Sequence, residues 1–311
     1  MTVTTSEVTP QGDWVSRSCP LCGSDDERAV FADAEFSPER LDDFAFASRK
    51  TPDYMHYRLV ACGECDLLYA TPVPPEDRLF SAYRDAAFDS VQEAGFASRT
   101  YARLLSRVVA ALPDRVGALD IGTGDGSFLR ELCAAGFSNV VGVEPSIAPI
   151  RTAGSDVRPL IRHGMFEAAN FEADTFSLVT CFQTVEHIYQ PLALCRGVHR
   201  ILKKGGAALF VCHNRRSVSA SLLGLKSPIF DIEHLQLFSP RSARALFERA
   251  GFVDISARPI WNRYPLSYWI KLFPMPTALK RFGLSVLMTT RLGNVPIPLP
   301  AGNTAAAGFK R

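Results

Sequence analysis

The chain has 311 residues, 47% of them apolar, and a formal net charge of +2. That is enough to bury a sizeable core in two domains, or in one with appendages, and the charge balance argues neither for nor against nucleic acid. No apolar run approaches the ~18 residues that span a bilayer, and Met1 to Val15 lacks the basic start and apolar stretch of a secretory signal, so a cytoplasmic protein is expected.

Residues 1–13 are polar and expected to be disordered. Two C-x-x-C knuckles follow, Cys19-Pro-Leu-Cys22 and Cys62-Gly-Glu-Cys65. Two knuckles supply four thiolates, which is what a closed, tetrahedral structural zinc site requires. The 39 residues between them exceed the usual ~15–20 of a compact ribbon, so an insertion is implied, with Pro38 to Phe46 as a short helix. The competing readings are a pair of disulfides, which a cytoplasmic setting disfavours, and a redox motif, which lacks its β-α-β context. The other four cysteines, Cys133, Cys181, Cys195 and Cys212, fall singly in predicted core elements and read as free buried thiols. Pro72, Pro74 and Pro75 mark a stiff linker, and the apolar spacing over 76–112 is helical.

Ala118 to Ile121 reads as a short buried strand, Gly122 to Gly126 as a glycine turn, and Ser127 to Ala135 as a helix. A dinucleotide fingerprint, G-x-G-x-x-G, places pyrophosphate on the helix N-terminus. Here the third glycine comes one position early, and Asp125 lies inside the turn where a pyrophosphate would be repelled. Together with Asp120 at the strand end, this suits a ligand with a cationic head. A second strand ends at Glu144, about 20 residues on, where an acid hydrogen-bonds ribose hydroxyls in nucleotide folds.

Leu119-Asp-Ile-Gly-Thr-Gly-Asp-Gly126 resembles the first motif of the class I S-adenosylmethionine-dependent methyltransferases. The likeness continues through Phe176 to Ile188 (fourth strand and its loop), Val198 to Val211 (helix, turn and fifth strand, with Lys204 where proline is usual) and Glu233 to Phe252. It covers roughly 113–260. The N-terminal pattern C-P-x-C-G, then C-x-x-C-x-L-L-Tyr69, resembles the zinc-binding domain that precedes many bacterial methyltransferases acting on sugars and glycan precursors.

The resemblance implies an α/β fold, a doubly wound, Rossmann-like, mostly parallel seven-stranded sheet preceded by a small zinc-ribbon-like domain. The expected division is 1–75 zinc-binding, 76–112 helical lid, 113–260 catalytic core and 261–311 extension. Asp120, Gly122, Thr123, Gly124, Gly126 and Glu144 would hold S-adenosylmethionine, Met165 and Phe166 would pack on the adenine, and Gln183 would lie beside the reacting centre. Tyr83 or Phe88 would belong to the lid, or simply pack on the sheet. Cys19, Cys22, Cys62 and Cys65 would bind structural zinc.

Methyl transfer to a hydroxyl or amine requires a positioned nucleophile and a base near neutral pH, for which histidine is suited. His234 ranks first, beyond the fifth strand; then His187, directly after the fourth with Glu186 beside it; then His213. Each also has a purely structural reading, and related quinone O-methyltransferases imply a divalent ion at Glu186 and His187.

From Ile255 onward there is no Asp or Glu, while Arg258, Arg263, Lys271, Lys280, Arg281, Arg291, Lys310 and Arg311 are interleaved with aromatics. That composition suits an anionic membrane surface at the inner face, or a phosphate-bearing acceptor. A plainer reading has the tail complete the sheet and cover the acceptor pocket. The expected acceptor is a small molecule, sugar nucleotide or lipid-linked glycan. RNA methylation is the alternative enzyme reading, disfavoured by Asp25, Asp26, Glu27, Asp42 and Asp43 around the knuckles, since an RNA-facing module should be basic. A non-catalytic S-adenosylmethionine-binding protein is the alternative outside enzymes.

Overall fold

The computed structural model describes residues 14–25, 29–37, 54–85, 91–273 and 275–311. The polar start, the helix expected over 38–46 and Phe88 lie outside the described residues.

Three short N-terminal strands, β1 (Val30–Ala32), β2 (Leu59–Ala61) and β3 (Leu68–Ala70), pair antiparallel in that order. The 71–75 stretch expected to be a linker is instead part of this unit. Val73 is fully buried and exchanges both backbone hydrogen bonds with Val15, at 2.8 and 3.1 Å. Proline lacks the N–H to make such a pairing, so the single valine among the prolines carries it. Helix α1 (Glu76–Asp85) follows, then α2 (Val91–Val109), which buries Tyr101, Leu105, Val108 and Val109, one face at helical spacing.

The central unit alternates strand and helix: β4 (Gly117–Ile121), α3 (Ser127–Ala134), β5 (Asn139–Glu144), α4 (Ile147–Thr152), β6 (Ile161–His163), β7 (Phe176–Phe182), α5 (Pro191–Ile201) and β8 (Leu202–His213). All five strands pair parallel, with every residue of β4 and β7 buried. Such strands read as continuous apolar runs because helices cover both faces. Residues 158–160 form a 3₁₀ turn around Pro159, so β6 begins only at Ile161. Cys133, expected to be buried, is exposed on α3, to the side of the face formed by Phe128, Leu129 and Leu132.

The chain continues through α6 (Val218–Leu223), β9 (Gln236–Leu237), α7 (Pro240–Ala250), β10 (Val253–Pro265), α8 (Leu266–Leu272), α9 (Thr277–Thr290) and β11 (Pro296–Phe309). The seven-stranded order is β10-β11-β8-β7-β4-β5-β6, with β11 antiparallel to both neighbours. The expectation that 261–311 extends a core ending at 260 is therefore corrected. Strand β10 runs through Pro265, and β11 from the tail lies inside the sheet. Small residues permit this: a Cβ on Gly308 would come within 2.9 Å of the Phe247 ring of α7.

The N-terminal unit is tied to the core. Strand β9 pairs with β3, extending its sheet to β1-β2-β3-β9. Asp66, just past the second knuckle, ion-pairs with Arg215 and Arg216 at the end of β8. Burial pushes its carboxyl up, but Arg216 and Arg215 hold it down at about 2. Among the described residues no helix is long and apolar enough to cross a membrane.

Candidate active site

One large cavity, about 1150 Å³, opens over the carboxyl ends of the parallel strands, where ligands bind in open α/β sheets. The turn after β4 forms one wall. Gly122 has φ +71°, and a Cβ there would fall 2.2 Å from Thr184 Oγ1, so glycine is required by both backbone and space. Gly124, at φ +58°, faces open space. Gly126 does not line the cavity; a Cβ there would press within 3.1 Å of Val157 and Ile161, so it closes the turn onto the sheet.

Two buried carboxyls flank this turn. Burial raises Asp120 to about 6, partly offset by the hydrogen bond from Thr180 (2.6 Å). Burial raises Glu144 to about 7, although it accepts N–H bonds from Ser146 (2.9 Å) and Gly124 (2.8 Å). Each Glu144 oxygen keeps a further lone pair for a ligand hydroxyl. Among the described residues the Thr123 hydroxyl and both amide atoms of Gln183 are buried without a hydrogen-bond partner of normal geometry, and both residues line the cavity. Gln183 also adopts φ +50°, a strained conformation for a side-chain-bearing residue. Met165 and Phe166 line the same cavity, with Phe166 stacked on Phe171 at 5.8 Å. Orphaned polar atoms beside an acid, an open glycine and an apolar clamp fit an adenosine ligand with a charged amino-acid tail.

The other end of the cavity carries three histidines. The His187 Nδ1–H donates to the Glu233 carbonyl (3.0 Å), which also accepts from the Tyr83 hydroxyl (2.5 Å). His234 Nδ1–H donates to the Ile229 carbonyl (2.8 Å), and His213 Nδ1–H to Asn303 Oδ1 (3.1 Å). Because carbonyl oxygens only accept, each neutral ring carries its basic lone pair on Nε2. The His234 ring centroid lies 4.9 Å from that of His187 and 4.7 Å from that of His213. Burial and the neighbouring His187 lower His213 to about 4, which keeps it neutral. Glu186 sits behind them, wholly buried and off the cavity wall; its Oε1 accepts from the His213 N–H (3.1 Å), and burial raises it to about 7, softened by His187.

The expected site residues thus gather around one cavity, Gly126 and Glu186 standing just behind its wall. Sequence reading missed Asn303 and Asn262, which reach the cavity from the tail strands. The available signal was an Asn-Thr pair heading an alanine run, Asn303 to Ala307, in the tail whose plainer reading already had it complete the sheet and cover the acceptor pocket. Tyr83 from α1 does line the cavity.

The four knuckle cysteines converge separately. Cys19 Sγ lies 3.5 Å from Cys65 Sγ, Cys22 Sγ 3.4 Å from Cys62 Sγ, and all four sulfurs lie within 4.8 Å of one another. Four sulfurs at tetrahedral-edge spacing fit a zinc-sized cation. The Cys65 thiol donates to Cys19 and pulls its pKa down, while burial pushes Cys22 up.

The sequence profile of the methyltransferase domain family matches residues 93–257, more than half of the chain. The chain belongs to the class I S-adenosylmethionine-dependent methyltransferases. Curated relatives include the ubiquinone biosynthesis O-methyltransferases of Pseudomonas putida (strain F1), 33% identical over 151 residues, and of Hahella chejuensis, 29% over 154. Each alignment covers 47% of this methyltransferase and 61% or 60% of the relative, so the chain spans about three fifths of their length. Similar solved structures include an Archaeoglobus fulgidus SAM-dependent methyltransferase (15% identity, TM-score 0.46, 76% of this chain and all of that one) and Haemonchus contortus phosphoethanolamine N-methyltransferase 2 (16%, 0.46, 78% and 61%).

Proposed function

We propose that this methyltransferase moves the methyl group of S-adenosylmethionine to a hydroxyl of a small-molecule acceptor, a sugar-nucleotide or lipid-linked glycan precursor. The observation that carries the reading is the opposition, across one cavity, of the Asp120–Glu144 wall and the His187–His213–His234 wall. When bound, S-adenosylmethionine supplies an electrophilic methyl carbon on a sulfonium that leaves as a neutral thioether. Glu144 accepts from the ribose hydroxyls, Asp120 faces the cationic end, and Met165 and Phe166 clamp the base. The Nε2 of either His187 or His234 receives the acceptor's proton as its oxygen approaches, with Glu186 behind to stabilise positive charge. Orientation at attack distance supplies the larger share of the acceleration.

In this reading Cys19, Cys22, Cys62 and Cys65 hold a structural zinc in an N-terminal unit over 1–75, α1 and α2 cap the cavity, and the basic tail meets an anionic membrane surface from the cytoplasmic side. The O-methyltransferase names of the curated relatives support oxygen as the nucleophile. The test is methyl-labelled S-adenosylmethionine with cell extract split into lipid-linked, small-molecule and RNA fractions. Label in the first or second is expected; ribonuclease-sensitive label would overturn the acceptor class.

A further inference from the structure

We propose that Glu186, His213 and His234 form a second metal site, for a divalent ion of the zinc or manganese kind, at the acceptor end of the cavity. The three side chains come from separate segments: the loop after β7, the end of β8, and the loop before β9. One ligand atom from each lies within 4.8 Å of the others, and Glu186 Oε1 lies 3.9 Å from His213 Nε2. An ion with ligands about 2.0–2.2 Å away would draw these atoms closer together.

Two further observations point to a cation. Glu186 has no exposed surface, and its Oε2 has no hydrogen-bond partner among the described residues. A wholly buried carboxylate oxygen left in this state is costly unless something positive meets it. Both histidines also donate Nδ1–H to a carbonyl oxygen, of Ile229 and of the Asn303 amide. That is how metal-bound imidazoles are held: the outer bond fixes the tautomer and leaves the Nε2 lone pair for an ion, with Glu233 Oε1 3.8 Å from His234 Nε2 adding a further carboxylate beside it. Two imidazoles and one carboxylate select ions that accept nitrogen, rather than calcium or magnesium.

Three protein ligands leave coordination positions open. The inference deepens the methyl-transfer reading, on which only the ion's role rests: an acceptor oxygen would fill an open position. The hydroxyl proton then passes to His187 Nε2, since His234 is occupied by the ion. The oxygen forms its bond to the methyl carbon as the C–S bond breaks and its electron pair returns to sulfur.

Binding is read without turnover. The full-length protein, stripped with chelator, is titrated with Zn²⁺ and its metal content measured by mass spectrometry; two equivalents per chain are expected. Glu186→Gln and His213→Ala should each retain one, and Cys62→Ser should retain the other. Titration with Co²⁺ supplies a second readout independent of the variants: one equivalent should show intense sulfur-to-metal charge transfer, the other only weak d–d bands. A wild-type protein that takes a single, sulfur-ligated equivalent overturns the proposal, as do Glu186 and His213 variants that bind as much as wild type. Unlabelled extract fractions alongside two bound equivalents would overturn the methyl-transfer reading and leave the metal site standing.

Discussion

Glu144 shows how one buried carboxyl sets both affinity and its pH dependence. Ribose hydroxyls donating to it favour its ionised form, so bound cofactor lowers its pKa from the free-enzyme value of about 7. Cofactor binding therefore releases a proton below pH 7, and affinity should climb with pH and level off above about 7. Asp120, at about 6, adds a second and lower inflection. Calorimetry from pH 5.5 to 8.5 checks this, and a flat profile would sink the assignment. Glu144→Ala should weaken S-adenosylmethionine binding by roughly 1.5–3 kcal/mol, on the order of ten- to a hundredfold. The glycines make a paired prediction. Gly124→Ala meets open space at φ +58° and should cost only the conformational ~1–2 kcal/mol, whereas Gly122→Ala adds the collision with Thr184. Urea denaturation of the two variants should separate them clearly, with Gly122→Ala the less stable.

Among the elements, the link between the N-terminal unit and the catalytic loop has the largest functional consequence. Arg17 Nη2 donates to Gln236 Oε1 (3.1 Å), and Gln236 Nε2 donates to the carbonyls of Val185 (2.8 Å) and Ile188 (2.7 Å). Those two residues bracket Glu186 and His187. Cys62→Ser should release zinc, loosen β3 and its pairing with β9, and lower the methyl-transfer rate while sparing cofactor affinity. A zinc-free variant with full turnover would refute the coupling. The strand, glycine turn and helix of β4 to α3 were legible in the sequence because apolar period and turn chemistry agree there. The link to the N-terminal unit was not, since β9 is two residues long and its only advertisement is a glutamine. That the tail completes the sheet was legible as the plainer reading, but the strand β11 itself was not, because Pro-Ile-Pro-Leu-Pro and an alanine run have little strand propensity; burial between β8 and β10 makes the strand, not local preference. The histidine wall was legible as three candidates, but their shared orientation depends on carbonyls distant in sequence.

At the scale of the whole molecule, the excursion between β10 and β11 gives the cavity an aromatic, apolar rim. Tyr268, Trp269, Leu272 and Phe273 of α8 and its exit line the cavity. Beyond them α9 exposes Leu279 (57%), Phe282 (68%) and Val286 (44%), an i, i+3, i+7 stripe that the protein leaves uncovered among the described residues. Lys271, Lys280, Arg281 and Arg291 accompany the stripe, and no acid follows Asp254. An apolar stripe flanked by cations suits an anionic bilayer, into which the stripe would insert while the cations meet head groups. Each such cation contributes about 1 kcal/mol near the surface, so Lys280→Ala with Arg281→Ala should weaken binding to phosphatidylglycerol vesicles by about thirtyfold. Leu279→Asp with Phe282→Asp should abolish it, and raised salt should weaken the wild type because the cations are exposed. Sedimentation with phosphatidylglycerol and with phosphatidylcholine vesicles reads all three. Equal binding to both lipids would remove the charge argument, and no binding to either would leave the stripe to another partner. Docking in this orientation would bring the cavity mouth to the bilayer, so the aspartate pair should slow transfer to a lipid-linked acceptor far more than transfer to its water-soluble head group.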